Sequence, residues 1–249
     1  MIWALLLRRF WLWKNRLLPS IIFIFIFPSI LFLIIYGSTS NIFITSLSLI
    51  PFSKWLIPGF FFIIGSISIL PLLLRDFFVL RIDRKMLTHI SMAPYSKRKI
   101  ILSYLAISIL EAFVIIFIFS LIISFFFDFD YLLLEYLIIF FQLSIYLFIL
   151  GNIIISFSLL IDSVTLYTSL LLYLFAIIFF GNGFIIELGL FSQKLNYILS
   201  WQPLSIPFQV LQSFLTKNII DWNKVTILLL LSLLLVITNS ILLRKKLKQ

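Results

Sequence analysis

Apolar runs recur along this chain, each close to the length of about 20 residues that an α-helix needs to cross a hydrocarbon core, and they leave few folds open. Inside a bilayer every backbone N–H and C=O has to be satisfied by the chain itself, so a spanning segment is either a helix or a strand of a closed barrel. Barrel strands alternate apolar and polar residues, and these runs do not. The expectation is therefore an all-α integral membrane protein. Composition points the same way: 63% of the residues are hydrophobic and 11% charged, against roughly half and a quarter in soluble domains.

The runs place six spans in one transmembrane domain covering 1–249: 19–36, 55–74, 100–127, 131–160, 164–180 and 225–243. Ahead of them, Met1–Leu18 mixes Trp3, Phe10, Trp11 and Trp13 with Arg8, Arg9, Lys14 and Arg16. That mixture reads as a helix lying in the cytoplasmic interface before Pro19 turns the chain into the membrane. A signal peptide is a poorer reading, because Pro19–Tyr36 exceeds the usual core of about 7–15 residues and no small-residue cleavage site follows. Lys54 and Trp55 read as an anchor at the outer end of the second span. Asp128-Phe129-Asp130 reads as a tight outer turn, and Gly181-Asn182-Gly183 as a helix break. Beyond that break, 184–223 is apolar only in pieces divided by Gln193-Lys194, Pro203 and Pro207, too short to cross, which predicts outer half-helices.

Charge placement orients the chain. Of nineteen Arg and Lys residues, four fall in Arg8–Arg16, seven in Arg75–Lys99 and four in Arg244–Lys248, whereas the segments expected outside hold only Lys54, Lys194, Lys217 and Lys224. Basic residues collect on the cytosolic side, so both termini are expected there. The net charge of +10 is accounted for by this asymmetry, and with no soluble basic domain to carry it, nucleic acid is not an expected partner.

Arg75–Lys99 is expected to lie in water or against a protein, since it also carries Asp76, Asp83 and the only histidine, His89. Phe78, Ile82, Leu87 and Ile90 share one helical face there, which predicts an amphipathic cytosolic helix with a partner surface or anionic lipid to cover it. The chemistry of catalysis is sparse. There is no cysteine, one histidine and no glycine-rich phosphate loop, so neither a metal cluster nor ATP hydrolysis is expected in this chain. Asp128 and Asp130 have the spacing of a metal-nucleotide motif but fall on the outer side, where they read as solvated turn residues. Glu111 lies near the middle of the third span, where a charge costs at least about 2.5 kcal/mol, so it is expected to face other helices or a wet cavity. Gln142, Asn152 and Asn239 are expected to bridge helices.

Three short segments, in order, resemble the membrane subunit of type-2 ATP-binding-cassette exporters. Trp55-Leu56-Ile57-Pro58-Gly59 is similar to that family's aromatic-hydrophobic-Pro-Gly opening of span two. Leu87-Thr88-His89-Ile90-Ser91-Met92-Ala93-Pro94-Tyr95-Ser96-Lys97 resembles its Leu-Glu-x-Leu-Leu-x-Thr-Pro-Val-Ser-Arg stretch, and Gln202-Pro203-Leu204-Ser205 its Asn-Pro-Leu-Thr. Where the family has an acidic pair followed by Gly-Thr, this chain has Arg81 and Asp83, then Lys85 and Met86, and keeps one acid. The resemblance implies a coupling helix over Asp83–Ser96, with Asp83, Leu87, Ile90, Pro94 and Ser96 seated on a cytosolic ATPase subunit that carries the ATP and Mg. It also implies a second copy or paralogue, a route lined by spans one, two and five, and the bacterial cytoplasmic membrane as location. The cargo implied is an amphiphilic or lipid-linked molecule. A membrane-embedded transferase and an ATP-independent transporter are the rival readings, the first lacking a residue constellation and the second resting on Glu111.

Overall fold

The computed structural model describes residues 2–15, 19, 22, 26–39, 51–82, 95–125 and 131–246. Among these residues the chain is helical and holds no strand. Five helices are long and apolar enough to cross a membrane: α3 (Phe52–Ile82), α4 (Lys97–Ser124), α5 (Leu133–Leu160), α6 (Val164–Gly181) and α9 (Trp222–Lys246). Two helices precede them, α1 (Ile2–Asn15) and α2 (Phe27–Thr39), and two short ones, α7 (Gln193–Ser200) and α8 (Ile206–Lys217), lie between α6 and α9. The protein is a multi-pass, membrane-type helical bundle. The expected first span, 19–36, overlaps α2, whose 13 residues extend about 20 Å at 1.5 Å per residue.

Position in the bundle follows from how each helix is covered. The apolar window of α3 is 78% buried, against 28% for α6 and for α9. With α4 and α5 packed along it, α3 is the central element, and α9 lies against α5. Lipid would solvate the bare apolar sides of α4, α6 and α9, so association here relies on close packing and interhelical hydrogen bonds. Those bonds are present. Ser66 and Tyr146 hydroxyls meet at 2.6 Å between α3 and α5, and Ser158 and Tyr167 at 2.8 Å between α5 and α6. Asn239 Nδ2 donates to the Asn152 carbonyl at 2.9 Å, and its Oδ1 accepts from Ser156 Oγ at 2.7 Å. Asn152 and Asn239 thus join α5 to α9, while the Gln142 side chain is buried with neither polar atom hydrogen-bonded among the described residues.

The second span does not end at Leu74 as expected. The helix continues through Arg75 and Asp76 to Ile82, widening to a π-helical stretch over Leu74–Val79 that begins three residues after Pro71. Pro71 supplies no N–H to the turn before it, and a widened turn is a common accommodation of such a break. Hydropathy reads Arg75-Asp76 as the return to water, yet Asp76 is fully buried, because basic side chains from α1 and α3 neutralise it within the protein. Trp55 is likewise no surface anchor: it is 1% exposed and packs against Phe52 and Phe208.

Between α6 and α9 the chain turns back at Gly183, whose positive φ of 81° suits glycine. α7 and α8, of 8 and 12 residues, extend only about 12 and 18 Å. The Gln202–Ser205 corner between them is closed by Ser205 Oγ donating to the Leu199 carbonyl at 2.6 Å and Gln209 Nε2 donating to the Ser200 carbonyl at 3.0 Å. α8 buries Phe208, Val210, Leu211 and Phe214 on the bundle, whereas α7 buries no residue.

Candidate functional site

The residues with functional potential collect at the two ends of α3 and along the seam where α1 meets α3 and α4. At its first end, Trp55, Pro58 and Gly59 are all buried. Gly59 lies against the backbone of Phe184, so close that a Cβ built on it falls 2.3 Å from the Phe184 carbonyl oxygen. The Phe184 ring in turn packs on Phe62, Tyr146 and Phe208 at centroid distances of 5.2, 5.5 and 5.1 Å. The absence of a side chain at Gly59 therefore lets the segment after the α6 break seat directly on α3. The corner formed by α7 and α8 is tied to the same place through Phe208.

Around Asp76 three arginines converge. Arg9 Nη2 donates to Asp76 Oδ2 at 2.5 Å, while Arg8 and Arg75 approach Asp76 Oδ1 at 3.5 and 3.4 Å. Arg9 also reaches Glu111 Oε2, Nε to oxygen 3.6 Å, and Trp13 Nε1 donates to Glu111 Oε1 at 2.5 Å. Glu111 lies midway along α4 and faces another helix as expected, its partners being an indole and a guanidinium from α1. α1 is turned accordingly. Arg9 and Trp13 face the protein, whereas Trp3, Leu7, Phe10 and Trp11 are exposed. The expected surface helix would direct its charges to the headgroups; Arg9 instead points at two acids within the bundle.

A second ionic group closes the other end of α3. Asp162, in the turn between α5 and α6, accepts from Arg81 Nη1 and from Lys246 Nζ, the latter at 2.9 Å, and Arg81 Nη2 donates to the Ile161 carbonyl at 2.5 Å. The ends of α3, α5 and α9 are thereby joined through one carboxylate. Lys246 and Arg81 hold the Asp162 carboxyl below its ordinary value of 3.8. A carboxyl lowered on folding stabilises the fold above its unfolded pKa, and that contribution disappears as the pH drops through the lower folded value. Asp162→Asn is therefore expected to cost about 0.5–1 kcal/mol, a small figure because the Asp162 side chain is exposed and its charge screened. Melting curves in detergent should give a wild-type advantage that is level from pH 8 to pH 5 and shrinks as the pH falls through 3.8 and below. An advantage already fading at pH 6 would mean that another group carries it.

Of the predicted coupling residues, Ser96 is described: it is the N-cap of α4, its Oγ accepting from Lys99 N–H at 3.3 Å. Asp83, Leu87, Ile90 and Pro94, with His89, Asp128 and Asp130, lie outside the described residues. Sequence reasoning missed Arg9, Trp13, Asp76, Arg81 and Asp162 as partners. The available signal was an acid two residues past the expected end of a span, beside an arginine and with an Arg-Arg pair in the preceding interfacial helix. Pairing across 67 positions is not written in local spacing. No family model, curated protein or solved structure matches the chain.

Proposed function

We propose that this chain is the membrane subunit of an ATP-driven exporter, with six spans, working as a pair with a second copy or paralogue and with separate cytosolic ATPase subunits. The carrying observation is the continuity of α3. This helix of 31 residues is about 46 Å long. It starts against the Phe184 segment and runs to Ile82, the residue before the proposed coupling segment Asp83–Ser96, and Ser96 then caps α4. A push on that segment would act on the two helices that bracket it, and α3 would carry it to the corner of short helices at its far end. Energy from ATP bound to a partner thus has a stiff path into the bundle, and this chain itself acts as no enzyme. An amphiphilic or lipid-linked cargo suits a route between such apolar helices. The same reading places the protein in a bacterial cytoplasmic membrane with both termini in the cytosol.

An ATP-independent, ion-coupled transporter is the second reading, favoured by the two buried acids Asp76 and Glu111. Both are already engaged by arginine or tryptophan from α1, which fits a structural tie better than a free ion-binding group.

Mass spectrometry of proteins that co-purify with the tagged chain from native membranes in mild detergent separates the two. A stoichiometric ATPase with a phosphate-binding loop is expected with the wild type, and it should be lost when Leu87→Asp and Ile90→Asp are combined, with expression unchanged. Recovery of the chain alone, under conditions that keep other transporter complexes intact, would overturn the exporter reading.

A further inference from the structure

Three guanidinium groups and two carboxylates meet between α1, α3 and α4, leaving one net positive charge among Arg8, Arg9, Arg75, Asp76 and Glu111. Hydrogen-bond donors are in excess as well. Among the described residues Arg9 Nη1 and Arg75 Nη2 are buried with no hydrogen-bond partner, against one unpartnered acceptor, Glu111 Oε2, and the Arg9 side chain is only 9% exposed. A guanidinium presents five N–H donors and keeps its proton, so it cannot relieve the mismatch by turning neutral. Buried donors and an uncompensated charge away from water are costly, and an acceptor anion relieves both.

The cluster is open on one side. Arg8 and Arg75 have side chains 36% and 32% exposed, and Tyr104 lies beside Arg8. At 100° per residue, Arg8 falls on the border between the inward face of α1, with Leu5, Arg9 and Trp13, and its outward face, with Trp3, Leu7, Phe10 and Trp11. An anion reaching Arg8 and Arg75 therefore has an exposed aromatic and aliphatic surface next to it. Planar guanidinium forks match phosphate oxygens in pairs, better than a lysine would.

We infer that Arg8, Arg9 and Arg75 form a binding site for a phosphate group, held in place as the headgroup of a membrane lipid whose chains lie on Trp3, Leu7, Phe10 and Trp11. The site stands apart from the exporter reading, since it requires neither ATP nor a partner subunit.

Native mass spectrometry of the full chain in mild detergent tests it, with phosphatidylglycerol and an uncharged glucosyl diacylglycerol offered as competing probes. The wild type is expected to retain phosphatidylglycerol about tenfold better than the glucolipid, the equivalent of one charge-assisted hydrogen bond. Arg8→Gln with Arg75→Gln, which spares the Arg9–Asp76 pair, should abolish that preference. Arg244→Gln with Lys245→Gln, which removes the same charge at the end of α9, should leave it intact. A wild type without preference, a test that depends on no variant, overturns the site. So does an equal loss in the two double variants. Displacement of phosphatidylglycerol by millimolar inorganic phosphate would keep the phosphate site but transfer it to the free anion; resistance to displacement assigns it to the lipid.

Discussion

Gly59→Ala should be among the most damaging single-methyl changes in this protein. Its Cβ would lie 2.3 Å from the Phe184 carbonyl oxygen, 3.1 Å from its carbonyl carbon and 3.3 Å from its Cα. All three atoms are backbone, so no rotamer change makes room; either α3 or the segment after the α6 break has to move. Movement there disturbs the rings of Phe62, Tyr146 and Phe208 around Phe184. Overpacking a fixed site costs about 1–3 kcal/mol, and the absence of any yielding side chain puts this case near the top, about 3 kcal/mol. That corresponds to a fall of roughly 10 °C in melting temperature for a chain of this size. Gly37→Ala is the matched control, because among the described residues nothing lies within 4 Å of a Cβ there. Equal melting temperatures for the two variants in detergent would refute the close approach. If the exporter reading holds, Gly59→Ala should also depress transport beyond its effect on protein level, since it separates α3 from the corner it is proposed to move.

How much of this was readable beforehand depends on the physics behind each feature. Long apolar runs such as those within α4 and α5 declare themselves, because in lipid the backbone has no alternative to the helix and a run of about 20 residues sets its own length. Ser163 before α6 and Ser96 before α4 are local stop-and-start signals of the same kind. Glu111 was also marked by cost alone, as an acid in mid-span that has to find a partner. The identity of that partner was not marked. Trp13 and Arg9 come from 98 and 102 positions away, and nothing in the spacing of either segment points to the other. Gly59 stood out as part of a Trp-Leu-Ile-Pro-Gly opening, but the reason a glycine is needed there is Phe184, one of thirty phenylalanines in a chain where no single one stands out. The end of α3 was misplaced for a related reason. A hydropathy reading treats Arg75-Asp76 as the edge of the membrane, which holds only while each charge has to find its own water. Once α1 supplies Arg8 and Arg9, the acid is solvated by protein and the helix proceeds to Ile82.

Asp76→Asn tests that last step most severely. Asparagine keeps the shape and one carbonyl acceptor, but it removes the charge and sets an N–H donor against a guanidinium where the second oxygen accepted. Breaking a buried ion pair by neutralising one member costs about 3–5 kcal/mol, because the other charge stays buried without compensation. Here the burden falls on three guanidiniums together, with Glu111 alone left to balance them. Glu111→Gln should be much milder, about 1 kcal/mol. Its amide oxygen still accepts from Trp13 Nε1, and the arginine it loses was 3.6 Å away. Two readouts separate a loosened α1 from general instability. Melting in detergent gives the total cost, and limited trypsin digestion reports cleavage after Arg8 and Arg9, which should accelerate in Asp76→Asn at temperatures well below melting. In Glu111→Gln cleavage should stay close to wild type, since the Arg9–Asp76 contact is untouched. If Glu111→Gln proves as costly as Asp76→Asn, or if cleavage is equal in the two, α1 is held by its apolar contacts through Leu5 and Trp13 and the charges are passengers. If the asymmetry is found, the buried ions are what fix the N-terminal helix against α3 and α4, and the arginines that do so are the same ones left with donors to spare.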